Sequence, residues 1–161
     1  AAINPVALEP AIAPHIAAGR AGVVLRVAAL ADHVRAQAAS GAEALLVEGA
    51  GGWLVPLNET ETMADLAVAL GYPVILVVGM RLGCINHALL TAAAITAAGL
   101  QLAGWVANGV TPEMEALAEN VRALEQRLPA LRLGTVPFLV GGCTPERLNT
   151  WLDATSLFGA R

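Results

Sequence analysis

Apolar residues along this chain come in short unbroken runs rather than in strict alternation with polar ones. The clearest are residues 44–47 (ALLV), 74–78 (VILVV) and 102–107 (LAGWVA). Such runs suit strands buried on both faces of a parallel sheet. Each is preceded by a glycine (Gly41, Gly71 or Gly99), and each glycine follows an alanine-rich, helix-like stretch. Glycine just past a helix end takes the left-handed backbone without steric penalty. The order helix, glycine, strand recurs after 30 and then 28 residues. That spacing predicts stacked βα units in a single α/β domain. The units differ in sequence, so this is not a solenoid.

Capping signals place the helix starts. Thr62-Met63-Ala64-Asp65 reads as a capping box with the shorter acid, which gives Asp65 a structural role. Thr111-Pro112-Glu113 and Thr144-Pro145-Glu146 each read as N-cap, proline at the first helical position, then an acid in the first turn. The predicted helices cover about residues 21–39, 62–70, 85–98, 112–128 and 145–157, and a last strand covers 131–136. The loops after the strands, residues 48–52, 79–83, 108–111 and 137–142, then gather on one edge of the sheet. Ligands of such sheets bind in the crevice at that edge.

Candidate chemistry falls on those loops. Glu48 closes the first apolar run, and Gly49, Gly51 and Gly52 follow at once. A carboxylate at a strand's C-terminal end is placed to hold Mg²⁺ beside a nucleotide phosphate. The glycines let the backbone approach a ligand closely. The same pattern also suits a tight turn with a surface glutamate. The second loop, residues 79–87 (GMRLGCINH), leads directly into a helix, whose first N–H groups attract anions. Asn86 is a cap or a ligand contact there. His87 reads as structural before it reads as a proton shuttle, and Cys84 as a small packed residue before a nucleophile.

Composition narrows the class. With 161 residues the chain is long enough for one domain with a core. It is 57% hydrophobic, yet it has no uninterrupted apolar stretch of the ~20 residues that span a membrane. No basic segment followed by an apolar core opens it. The expectation is a soluble, cytoplasmic protein without a membrane partner. A net charge of -4 and scattered basic residues argue against nucleic acid. Cys84 and Cys143 make neither a disulfide framework nor a metal-spaced cluster.

Four stretches together carry a resemblance: residues 47–53 (VEGAGGW), 73–79 (PVILVVG), 82–91 (LGCINHALLT) and 102–108 (LAGWVAN). With these the chain resembles the dethiobiotin synthetase family, the ATP-dependent ligases of biotin biosynthesis. The resemblance runs from about Asn4 to beyond Pro137. It implies a P-loop NTPase-like, three-layer α/β fold with a mainly parallel sheet. Family members begin with a strand and a P-loop ending in Gly-Lys-Thr. This sequence has no such motif and no lysine at all. The expectation is therefore a domain incomplete at its N-terminus, lacking the first P-loop strand and starting about a third of the way into the family's length. Loss of an interior strand leaves unpaired backbone and apolar faces. The missing part is then expected as another segment or chain, or the sheet is rearranged.

The resemblance implies chemistry residue by residue. The reaction joins CO₂ to 7,8-diaminopelargonic acid with ATP and Mg²⁺, and closes the ureido ring of dethiobiotin. Glu48 matches the acid that helps hold Mg²⁺. Gly51 and Gly52 match the loop that lets substrate pass close to the backbone. Leu82, Gly83, Cys84, Ile85 and Asn86 match the loop that receives the substrate's carboxylate tail across a homodimer interface. Asn108 matches the adenine-recognising residue, and Pro137, Phe138 and Leu139 the segment beside the base. No residue here is implied as a catalytic acid, base or nucleophile. Glu146 matches an acid after the adenine loop only loosely, and helix capping explains it equally well. Ala13 stands where the family often has a serine before the Pro14-His15 pair. Trp53 and Trp105 read as packing residues. Residues 1–161 alone are expected to be inactive. Two rival readings stand beside the ligase: another P-loop relative, such as a partition-type ATPase or a cobyrinate amidase synthetase domain, and a noncatalytic dimerisation or binding module.

Overall fold

The computed structural model of the protein describes residues 3–41, 43–141 and 143–157. The chain forms two compact units, Ala1–Tyr72 and Pro73–Arg161.

The first unit holds helices α1 (Pro14–Arg20), α2 (Val27–Ala38) and α3 (Met63–Leu70). Helix α1 is absent from the sequence-based expectation. Pro14 opens it, where a missing N–H costs nothing. Gly22, at φ 68°, then turns the chain, so the helix expected from residue 21 begins only at Val27. The Thr62 capping box forms as expected. Thr62 N donates to Asp65 Oδ2 at 2.7 Å, and Asp65 N donates to Thr62 Oγ1 at 3.4 Å. Gly71 ends α3 in the left-handed conformation. The core of this unit joins Ala18, Leu25, Val27, Ala31, Leu57 and Leu66.

Residues 44–48 depart from expectation. They belong to no helix or strand among the described residues, and all are exposed. Leu46 is 83% exposed. The anticipated strand at 44–47, with Glu48 at its buried end, is not there. An apolar run sets extended backbone, but burial requires a neighbouring strand. Among its described residues the first unit has no strand to offer.

The second unit is an open parallel sheet with helical crossovers, α/β as expected. Strands β1 (Val74–Met80), β2 (Leu102–Gly109) and β3 (Arg132–Val136) lie in the order β1-β2-β3. Between them run α4 (Cys84–Ala97) and α5 (Leu117–Glu125). Central β2 is the most buried, and Trp105 and Ala107 are wholly inaccessible. Edge strand β1 leaves Val77 60% exposed, and its outer side has no partner among the described residues. Gly104 lets β3 pack closely, since a Cβ there would stand 2.7 Å from Leu133 Cγ.

Two expected helices are shorter. The one expected from 112 begins at Leu117, because Thr111 Oγ1 donates to the Glu113 carbonyl at 3.0 Å and closes a local turn instead. Ala116, at φ 55°, marks the break. The one expected over 145–157 stops as α6 (Pro145–Leu148), with a separate 3-10 turn at Thr155–Leu157. Between them Leu152 bridges Gly134, and Asp153 N donates to the Leu133 carbonyl at 2.7 Å. This antiparallel contact along β3 wins over helix continuation. It requires glycine at 134, because a Cβ would collide with the Trp151 carbonyl.

Candidate functional site

The three parallel strands end on one edge. Gly79 pairs with Asn108, and Asn108 with Val136, so the three make one row just inside it. Half-buried Asn108 sits at the centre of that row. Gly109 follows, and a Cβ there would lie 2.6 Å from Phe138 N and 3.0 Å from the Pro137 carbonyl carbon. The backbone of Pro137-Phe138 therefore rests against the end of β2. Leu139 packs on Val106, Leu133 and Val136, while Pro137 and Phe138 stay exposed. A Cβ on Gly79 would be 3.4 Å from Val110 Cγ1, which brings the loop after β1 against the loop after β2. Three of the four expected loops thus meet on one edge. Gly142, the expected end of the last, lies outside the described residues. A carboxamide such as that of Asn108 can both donate to and accept from a heteroaromatic base.

The loop between β1 and α4 is open to solvent. Leu82 is fully exposed, Asn86 and His87 are exposed, and Ile85 is half-buried. Gly83, at φ 93°, is the N-cap and has no side chain to satisfy the first-turn amides. Such amides attract an anion. Cys84 is buried at 4% exposure, which fits a packed residue.

Glu48, Gly51 and Gly52 lie in the first unit, in a loop with its own support. Gly51 and Gly52 have φ of 83° and 102°, where side chains are strained. A Cβ on Gly49 would be 3.2 Å from Met63 Cγ, and one on Gly51 would be 3.0 Å from Val55 Cγ2. The loop is therefore seated on Val55 and Met63. Those two residues bracket a turn in which Met63 N donates to the Val55 carbonyl at 2.9 Å and Leu57 N to the Glu61 carbonyl at 2.8 Å. Sequence reasoning passed over Asn58 and Glu61 in that turn. The available signal was the polar run NETET at 58–62, a pattern suited to side-chain-closed turns.

The residues present fit the two ends of an Mg-nucleotide unequally. Asn108 and residues 137–139 suit the base. Among the described residues no three His, Cys, Asp or Glu side chains cluster as a metal site. Mg²⁺ is commonly held by one or two carboxylates, with phosphate oxygens and waters completing the shell. Glu48 fits that part of the task only. The triphosphate cradle of a P-loop is not encoded in residues 1–161. Glu146 is exposed, and its carboxyl is held below the ordinary value by its own backbone N–H and by the Thr144 hydroxyl. Both contacts are local to the start of α6, whose Thr144 N-cap makes no side-chain cap hydrogen bond. No described helix is long and apolar enough to cross a membrane.

A family model described as an AAA domain matches residues 1–142. The chain is 61% identical over 155 residues to the ATP-dependent dethiobiotin synthetase BioD of Pseudomonas paraeruginosa, covering 96% of this chain and 68% of that protein. The like-named protein of Pseudomonas aeruginosa is 55% identical with the same coverage. That of Cellvibrio japonicus is 53% identical over 158 residues, covering 98% of this chain and 68% of the relative.

Proposed function

This chain belongs to the ATP-dependent dethiobiotin synthetase family, with the α/β fold of P-loop ATPases, and from that premise we propose that it supplies the adenine- and substrate-facing residues of a dethiobiotin synthetase. The enzyme joins CO₂ to 7,8-diaminopelargonic acid, consumes ATP and closes the ureido ring. One amine adds to CO₂ and loses a proton, giving a carbamate. The carbamate oxygen takes the γ-phosphoryl group with loss of ADP. The second amine then attacks the activated carbon, and phosphate leaves. Mg²⁺ supplies charge neutralisation on the transferred phosphoryl group.

The residues of this chain bind and orient. Asn108 pairs with the adenine edge, and Pro137, Phe138 and Leu139 flank the ring. Glu48 contributes one carboxylate oxygen toward Mg²⁺. Gly51 and Gly52 let the diamine pass along the backbone. Leu82, Gly83, Cys84, Ile85 and Asn86 receive its carboxylate tail at the start of α4, across a homodimer interface. Leu82 is fully exposed, so it is free to meet a second copy.

The observation that carries the reading is the row Gly79–Asn108–Val136 with Pro137-Phe138 packed on Gly109. It sets Asn108 and the Pro137-Phe138 backbone at the same sheet edge. The test uses the complete gene product with ATP, Mg²⁺, bicarbonate and the diamine, and reads dethiobiotin by mass. Asn108→Ala should raise KM for ATP about tenfold, the cost of one lost amide pairing, with KM for the diamine unchanged. An unchanged KM for ATP removes Asn108 from the base site. Residues 1–161 alone should form no dethiobiotin, because no part of them builds a triphosphate cradle. Product from this chain alone refutes that statement.

A further inference from the structure

The loop at residues 48–52 has a mechanical problem. Two successive glycines at positive φ give it a backbone with many accessible shapes. Its geometry must be imposed from outside. Met63 approaches Gly49 and Val55 approaches Gly51, at either end of the turn, and Val55 N donates to the Gly52 carbonyl at 3.3 Å. Whatever fixes that turn fixes the loop.

Asn58 closes the turn from within. Its Oδ1 accepts from Glu61 N at 2.9 Å, Thr60 N at 3.0 Å and Thr60 Oγ1 at 3.2 Å. The other side of the same amide faces outward. Asn58 Nδ2 donates to the Leu25 carbonyl at 2.7 Å and to Glu61 Oε2 at 2.6 Å. Glu61 Oε2 also accepts from Val27 N at 3.1 Å, the first residue of α2. The amide orientation is thereby fixed, with three donors on its oxygen and two acceptors on its nitrogen. Leu25, Val27 and Leu57 lie in one buried cluster, so the bonds to the start of α2 are partly shielded from water.

Helix α2 has no cap of its own. Arg26 stands at the N-cap position and makes no side-chain cap hydrogen bond. A serine or aspartate at 26 would cap α2 locally. Instead the cap comes from Glu61, 34 residues onward, in the turn that seats the glycine loop. The start of α2 and the seat of the loop are locked as one body.

We propose that Asn58 and Glu61 are positioning residues that hold the Gly51-Gly52 backbone in the shape that accepts the diamine. This rests on the reading of residues 48–52 as the substrate loop. Positioning from a supporting shell has large kinetic consequences, because sub-ångström placement decides productive binding.

Asn58→Asp separates positioning from turn formation. It keeps the oxygen that closes the turn and sets a second oxygen against the Leu25 carbonyl and Glu61. In the complete gene product this variant should raise KM for the diamine about tenfold and leave KM for ATP within about twofold. Glu61→Ala should do the same. Glu61→Gln keeps an oxygen for both Val27 N–H and Asn58 Nδ2, and should restore the diamine KM. A merely structural loss would lower the active fraction and leave both KM values in place. An unchanged diamine KM in Asn58→Asp, or an equal rise in both KM values, overturns the proposal.

A second readout does not depend on turnover. Amide hydrogen exchange at Val27, Val55 and Met63, whose N–H groups donate to Glu61 Oε2, the Gly52 carbonyl and the Val55 carbonyl, should speed up about tenfold in Asn58→Asp, with α4 amides unchanged. Unchanged exchange at Val55 and Met63 overturns the clamp by itself. A wild-type protein that forms no dethiobiotin, yet shows the exchange change, refutes the substrate-loop reading and leaves the clamp standing.

Discussion

Residues 44–47 and 102–107 begin from the same kind of sequence and end in different states. Both are apolar runs after a glycine, and both lead to a loop with candidate chemistry. The second becomes the central strand of a parallel sheet, with Trp105 wholly buried. The first forms no strand and stays exposed. An apolar run specifies what a strand would bury, and its neighbours decide whether anything is buried. β2 has β1 on one side and β3 on the other.

The largest test of that contrast compares one truncation in each run. Trp105→Ala removes a fully buried side chain and should cost about 3–5 kcal/mol by urea denaturation. Leu46→Ala removes one that is 83% exposed and should stay within about 0.5 kcal/mol. A large cost at Leu46 would break the comparison, since it would mean another surface covers that side chain in solution.

A second test asks how tightly the paired region is specified. Gly134→Ala puts a methyl group against the Trp151 carbonyl. It should cost about 1–3 kcal/mol, as overpacking does. The exchange rate of the Asp153 amide, bonded to the Leu133 carbonyl, should rise with it. A neutral substitution would show that the 151–153 segment is not held against β3.

The reach of sequence reasoning follows from the same contrast. Strands β1, β2 and β3 and helices α3 and α4 were legible, because short-range signals and tertiary context agree there. Gly71 and Gly99, both at positive φ, punctuate them as expected. The lengths of α5 and α6 were not legible. Thr111 turns onto Glu113, and the chain after Leu148 pairs with β3, so a local bond and a long-range one each override a proline start signal. Of the candidate site, the Asn108 row was legible because parallel strands align their ends. The Asn58–Glu61 clamp was not, because its partners at Leu25 and Val27 lie 33 and 34 residues away.

In the first unit the best-specified local feature is the Thr62 cap, and its disruption should have a moderate effect. Thr62→Ala should cost about 1 kcal/mol at neutral pH. The Asp65 carboxyl is held below its ordinary value, first by the Thr62 hydroxyl and then by the Thr62 N–H. A depressed carboxyl pKa stabilises the fold above the unfolded-state value, about 3.9. That contribution is lost as pH falls through the lower folded value. Stability of wild type and variant should therefore converge in acid. A gap that persists undiminished below about pH 3 would show that the ionised Asp65 is not part of the cap.

The smallest effects sharpen the comparison at the level of single ion pairs. In the first unit Arg35 meets Asp32 at 3.1 Å within one helix, with side chains 55% and 77% exposed. In the second, Arg132 meets Glu125 at 2.7 Å, with side chains 34% and 38% exposed. The latter joins β3 to the end of α5, and Arg132 is further aimed by Thr135 Oγ1 at 2.9 Å. Arg35 has a second bond as well, to the Ala69 carbonyl at 2.7 Å, so the difference lies in burial, which weakens screening by salt. A double-mutant cycle at Glu125 and Arg132 should give about 0.5–1 kcal/mol, and one at Asp32 and Arg35 about 0.3 kcal/mol. In 1 M salt the Asp32–Arg35 coupling should vanish first, since exposed charges are screened over about 3 Å there. Equal couplings with equal salt dependence would mean that the partial burial around Arg132 adds nothing to its pairing. The two units would then differ in how their apolar runs are covered, and not in how their surfaces are tied together.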